Sequence, residues 1–281
     1  MRPGESDKSE VFKMTQDKET TPAEPVPAST ILLVRNTPDG LMEVFMVVRH
    51  HQIDFASGAL VFPGGKIDPG DMHVRDRCPN SESLNDELLA LQVGAIREVF
   101  EECGVLLART PGEDQLISGQ RRRSLEPYRD RLNNNEITMA EFLQTENLHL
   151  ACDLLVPFSH WTTPTMMPKR FDTWFYIVEA PNDHTAMHDG YESVDSVWIS
   201  PDEALEGGVS GKYTIIFPTR LNIEMLAKSK TVAEAISASK SRNIVEVLPW
   251  TEKREDGTWL CIQPEAGYDI SEEKMPERKP A

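Results

Sequence analysis

Two apolar runs, residues 30–35 and 42–48, lie on either side of Pro38-Asp39-Gly40. Runs of that length around turn residues predict a β-hairpin over residues 29–51. The stretch "GALVFPGGKIDPGD" at 58–71 is first apolar and then rich in glycine, and predicts a short strand entering a loop. From about Leu84 to Cys103 the period changes. Leu89, Val93, Ile96, Val99, Phe100 and Cys103 form one face of a helix, and Gly104 stands where a helix C-cap belongs. Residues 113–146 read as charged helices, "PYRDRLNNN" and "TMAEFLQTEN", with a polar break between them. Strand character returns in "LACDLLVPFSHWTT", "RFDTWFYIVEA" and "ESVDSVWI". Ser200 is the N-cap of a short helix in "SPDEALE", residues 217–242 predict two more helices, and "EVLPWTEKREDGTWLCIQP" predicts a hairpin around Asp256-Gly257. No internal repeat is present. Strands and helices mix without regular βαβ alternation, so the expected class is α+β, not a doubly wound sheet.

Charge narrows the partners. With 29 basic and 46 acidic residues the formal charge is −17, which repels nucleic acid. The one dense basic run is Arg121-Arg122-Arg123, in a segment expected to be an exposed helix. No run of 18 apolar residues exists, so no membrane span is expected. Residues 1–28 lack the apolar core of a secretion signal and are too acidic for a mitochondrial presequence. The expected organisation is a disordered tail over 1–28, an ordered domain over 29–270 and a second disordered tail over 271–281. Four cysteines, Cys78, Cys103, Cys152 and Cys261, are far apart with no CxxC spacing, so neither zinc nor a disulfide framework is expected, and the expected compartment is the cytoplasm. A homodimer is compatible with the sequence.

One stretch carries chemistry. In "REVFEECGV", residues 97–105, Glu98, Glu101 and Glu102 stand at i, i+3 and i+4 of the predicted helix. Like charges at that spacing destabilise a helix. A solvated acidic face would account for them, and so would a hard cation held between them. Mg²⁺, which takes oxygen ligands and keeps several waters, suits such a set.

Together with the upstream "GGKIDPGD", this stretch resembles the Nudix box, in which Gly, five residues, Glu and seven residues precede Arg-Glu-apolar-x-Glu-Glu-x-Gly-apolar. Arg97, Glu98, Val99, Glu101, Glu102, Gly104 and Val105 match every fixed position of the second half. Asp71 stands where the first glutamate belongs, and 25 residues instead of seven separate it from Arg97. The 18 inserted residues are expected to lengthen the loop and extend the helix at its N-terminus. An insertion at this point, with "LVFPGG", "RFDTWFYIVEAP" and "SPDEAL", is similar to the motif-19 branch of coenzyme A diphosphatases.

The resemblance implies a Nudix α/β/α sandwich with the box over 65–105, a helical extension over 200–245 and a C-terminal hairpin. It implies Mg²⁺ (or Mn²⁺) held by Glu98, Glu101, Glu102 and the backbone carbonyl of Gly64, while Arg97 points the other way and buttresses the loop by ion pairing. Family members commonly add a carboxylate ahead of a late tryptophan. Here Asp189, Glu192 and Asp195 precede Trp198, and Glu192 is the expected metal ligand or general base. His184 and His188 are expected on the surface. Lys169, Arg170 and Phe171 are expected to grip phosphate and stack on a base, with Arg49, His50 and His51 near a far phosphate, while Met166 and Met167 are expected to pack rather than to line a pocket. The implied reaction is Mg²⁺-dependent hydrolysis of a small nucleoside diphosphate joined to another moiety. Coenzyme A or its acyl esters come first, and ADP-ribose- or NADH-type compounds are the alternative. A Nudix-fold ligand-binding module without hydrolysis would be expected to have lost box glutamates, and this chain keeps Glu98, Glu101 and Glu102.

Overall fold

A computed structural model of the chain describes residues 22–49, 58–184, 186 and 193–275. The predicted first hairpin is present as β1 (Val26–Asn36) and β2 (Met42–Arg49), followed by β3 (Leu60–Val61) and β4 (Gly64–Lys66) at the glycine loop. Helix α1 (Asp86–Cys103) carries the glutamates, and β5 (Ala108–Arg109) follows it. The charged segment folds as three short helices, α2 (Gly119–Ser124), α3 (Pro127–Asn133) and α4 (Met139–Thr145). Then come β6 (His149–Leu150), β7 (Val156–Thr162), β8 (Phe171–Glu179) and β9 (Ser193–Ile199). The remaining elements are α5 (Pro201–Val209), α6 (Phe217–Leu226), α7 (Val232–Ser241), β10 (Glu246–Val247), β11 (Trp250–Arg254), β12 (Gly257–Cys261) and β13 (Glu272–Lys274).

Eight strands form one sheet in the order β10-β7-β8-β1-β2-β3, with β4 paired to β1 and β9 to β2. The parallel pairing of β1 with β8 joins segments far apart in sequence, from Val26↔Phe171 to Val34↔Glu179. Alternation along β1 makes the layers, because successive side chains of a strand point to opposite faces. Ile31 and Leu33 pack with α1 and α4 on one side, and Leu32 and Val34 pack with α5, α6 and α7 on the other. The result is the α+β sandwich expected, with β11, β12 and β13 added as a separate small sheet.

Three expectations are revised. β1 begins at Val26, within the expected tail, because the Val26 N–H donates to Arg170 O and the strand pairs with β8. At the other end β13 pairs with β12, within the residues expected to be a C-terminal tail. The inserted residues are more than a lengthened loop. As expected they give α1 its first turn, but ahead of it they complete one 3₁₀ segment, Pro69–His73, and form another, Arg75–Arg77. Val74 and Cys78 are buried in the same cluster as Val99 and Phe100 of α1, and Arg75 bonds Asp86 and the Leu84 carbonyl. Two buried apolar side chains make this segment part of the core.

Candidate active site

Helix α1 is fixed at both ends by its own sequence. The Asn85 side chain accepts from Leu88 N–H as N-cap, and Asp86 and Glu87 lie at the positive end of the helix dipole. Gly104 closes the helix in the left-handed conformation at φ 69°, with its N–H on Phe100 O. Arg129 of α3 reaches across to donate to Glu101 O, at 3.2 Å from Nε and 2.9 Å from Nη2. A cation on the last carbonyls of a helix is favourable.

The glycine loop and α1 meet at close range. Gly64 N–H donates to Glu102 Oε2 at 3.0 Å. A Cβ on Gly65 would stand 2.5 Å from Glu98 Cδ, so only glycine lets the carboxylate lie against the backbone there. Gly64 itself has φ 153° and would bring a Cβ within 2.3 Å of Ser29 O. Gly65 is thus required by the close approach of Glu98, and Gly64 by its backbone conformation and its packing against β1.

Arg97 is the hub of the site. Its Nε donates to Asp71 Oδ1 and its Nη2 to Asp71 Oδ2, both at 3.0 Å, and Nη2 also reaches Lys66 O at 2.8 Å. Asp71 is 1% exposed and accepts from Asp68 N–H as well, in a capping box that opens the insertion. Asp71 therefore faces Arg97 even though 25 residues separate them. The expectation that Arg97 points away from the glutamates is corrected in part. Its Nη1 donates to Glu98 Oε1 at 2.9 Å and Glu101 Oε2 at 3.2 Å. Two carboxylates withdrawn from water one turn apart recruit the nearest guanidinium.

Burial governs the charges. It pushes the Glu101 carboxyl up to about 8; Arg97 opposes the shift, and Glu98 and Asp71 add to it. Burial also raises Asp71, again against Arg97. For Arg97 burial disfavours the cation, but Asp71 and Glu98 outweigh it and hold the guanidinium charged. Among the described residues no three His, Cys, Asp or Glu side chains converge in a cation-binding arrangement. The donor set nevertheless fits a hard divalent cation. It consists of three carboxylates on one helix face, one of them costly to bury as an anion, against a loop with no side chains in the way.

Residues 72–225 match the family model described as the NUDT19 Nudix domain, which is more than half of the 281 residues. The chain belongs to the NUDT19 Nudix family. The matched range begins at Met72 and takes in the inserted residues. Similar relatives include putative nudix hydrolase 7 of Caenorhabditis elegans, 26% identical over 203 residues, covering 72% of this chain and 60% of the relative. Human acyl-coenzyme A diphosphatase NUDT19 is 26% identical over 262 residues, covering 76% of this chain and 65% of the relative. The chain thus spans about three fifths of the length of these curated relatives. A crystal structure of a Nudix hydrolase from Alicyclobacillus acidocaldarius is 26% identical, covers 76% of this chain and 96% of its own, and superposes with a TM-score of 0.62.

Other expected site residues of the Nudix domain are placed less uniformly. Glu192, Asp189, His188, His50 and His51 lie outside the described residues, as does the side chain of Arg49, which ends β2. Asp195 is exposed on β9 and accepts from the Ser196 N–H. His184 is not a surface residue as expected: its ring is buried, which lowers its pKa, against the opposing effect of its bond to Ile117 O. Arg170, expected to grip phosphate, is 9% exposed, with Nε on Thr163 O and Nη1 on Ala23 O. Its guanidinium holds the entrance of β1 and β8. Lys169 is exposed beside it.

Cavities formed by described residues lie on both faces of the sheet. The first, of about 320 Å³, is lined by Lys66, Asp71, Arg97, Glu98 and Glu101 together with Asn133, Asn135 and Thr138 from α3 to α4. That is the lower end of ligand-site volumes, roughly 300–1,000 Å³. Sequence reasoning missed the asparagines. The "NNN" break was visible, but not the packing of α4 beside Pro69–His73 that brings it to the box. Asn135 takes a left-handed φ of 56°, which asparagine tolerates better than most residues. The second cavity, of about 870 Å³, lies on the other face of the sheet and includes Phe171, Met166 and Met167 in its lining. The expectation that the two methionines only pack is corrected, since they are 53% and 38% exposed at this cavity.

Proposed function

We propose that this Nudix domain hydrolyses the diphosphate linkage of coenzyme A or an acyl-coenzyme A. Water adds to one phosphorus, the bridging P–O bond breaks, and two phosphate monoesters leave: 3′,5′-ADP and the (acyl-)phosphopantetheine. The observation that carries the reading is the junction of Gly64-Gly65 with Glu98 and Glu102, the two glutamates lying within the residues that match the family's domain. Glu98, Glu101, Glu102 and Gly64 would hold Mg²⁺, which supplies Lewis acidity and lowers the pKa of water. The chain's own groups do the rest. Arg97 and Asp71 fix the loop against α1, and Arg129 fixes the end of α1. The substrate preference is supported by the naming of similar proteins as acyl-coenzyme A diphosphatases. Among the described residues no helix is long and apolar enough to cross a membrane, and all four cysteines are buried thiols, which fits a reducing cytoplasm.

The test is hydrolysis with Mg²⁺ of coenzyme A, dodecanoyl-coenzyme A, ADP-ribose and NADH, with products weighed by mass spectrometry. 3′,5′-ADP is expected from the first two, with Glu102→Gln at least about a hundredfold slower. Cleavage of ADP-ribose or NADH alone refutes the substrate, and no cleavage of any refutes the reaction.

A further inference from the structure

Among the described residues the 870 Å³ cavity has a lining without a charged side chain, in a chain where 27% of residues are charged. Its walls are Phe171, Thr173 and Phe175 from β8, Phe217 from α6, and Thr258 and Leu260 from β12. The polar residues in the lining are threonines, which expose a methyl as well as a hydroxyl. Three methionines, Met166, Met167 and Met275, stand at it 53%, 38% and 39% exposed. Unbranched and polarizable, methionine adapts to ligands of different length. Apolar surface left at a cavity of this size marks a ligand site.

Strand register ties this cavity to the box. Thr30 of β1 pairs with Gly64 on one side and with Phe175 on the other. The Phe175 wall is therefore two strand spacings, about 10 Å, from the glycine loop. Among the described residues β4 has β1 alone as its strand partner, so the way from the box to the opposite face would run round β4. A pantetheine arm has the backbone length of about four residues, roughly 14 Å. A diphosphate at the box would thus deliver a thioester to the cavity.

We propose that the cavity between β8, α6 and the β11–β12 hairpin holds the acyl chain of an acyl-thioester substrate whose diphosphate lies at the box. This rests on the reading of the domain as a coenzyme A diphosphatase, and it assigns the C-terminal hairpin to substrate selection. Each methylene buried there strengthens binding by about fourfold.

The experiment compares coenzyme A with dodecanoyl-coenzyme A, in titration calorimetry without metal and in turnover with Mg²⁺. In the parent, dodecanoyl-coenzyme A should bind at least a hundredfold more tightly. Thr173→Trp fills the cavity from β8, and Thr258→Trp fills it from β12, so one variant remains if the other does not fold. Either should raise Kd and KM for the dodecanoyl ester at least tenfold and change those for coenzyme A less than twofold. Equal affinity of the parent for both compounds overturns the proposal. So does an equal effect of a folded variant on both. A parent dimer that either variant splits, without a change in chain-length preference, shows the cavity covered by a second copy and also overturns it. A parent that cleaves neither compound refutes the coenzyme A reading, while the calorimetry still reports on the acyl site.

Discussion

Asp71→Asn removes one charge and almost no volume from the hub of the box. Asp71 is 1% exposed and receives two donors from Arg97, both at 3.0 Å, and one from Asp68 N–H at 2.9 Å. Breaking a buried pair by removing one partner costs about 3–5 kcal/mol. Here the cost is smaller, because Arg97 keeps Glu98, Glu101 and the Lys66 carbonyl as partners. Burial also raises the Asp71 pKa, so part of the pair's attraction already offsets desolvation. About 2–3 kcal/mol is left for the change, equivalent to a melting temperature lower by roughly 5–10 °C in a domain of this size. Thermal unfolding followed by circular dichroism at pH 7 measures it. Arg97→Met should cost more than Asp71→Asn, and the double variant less than the sum, since the two share one interaction. A drop under 2 °C for Asp71→Asn, or simple additivity in the cycle, would refute the pair as the support of the loop.

Two further outcomes follow from the same geometry. Burial raises Glu101 from its ordinary 4.5 to about 8, so between those values the folded chain holds a proton that the unfolded chain releases. Stability without metal should fall as pH rises through that window, the Mg²⁺-induced rise in melting temperature should grow with pH up to about 8, and a flat profile by scanning calorimetry would be the contrary result. Arg170→Met removes donors from Thr163 O and Ala23 O, so it should lower the melting temperature by several degrees and leave KM for coenzyme A within twofold; a tenfold rise in KM at unchanged stability would return Arg170 to phosphate binding.

The local elements were legible because each carries its own signals. Pro38-Asp39-Gly40 turns the first hairpin, Asn85 and Gly104 bound α1, and the spacing of Glu98, Glu101 and Glu102 placed them on one face whatever the rest of the chain did. Periodicity and caps act over a few residues and need no partner to be read. What the tertiary structure alone decided depends on segments distant in sequence. The β1–β8 pairing drew Val26 out of its expected tail, and it turned Arg170 from a phosphate ligand into a clamp on two backbone carbonyls. Folding of the insertion returned Asp71 to Arg97, which counting along the chain could not foresee. The large cavity arises where β8, α6 and β12 meet, so no local pattern announces it, and exposed Met166 and Met167 read like any packing residues until that junction exists. A buried charge or an unfilled apolar space takes its meaning from what lies opposite, and that is a property of the assembled chain.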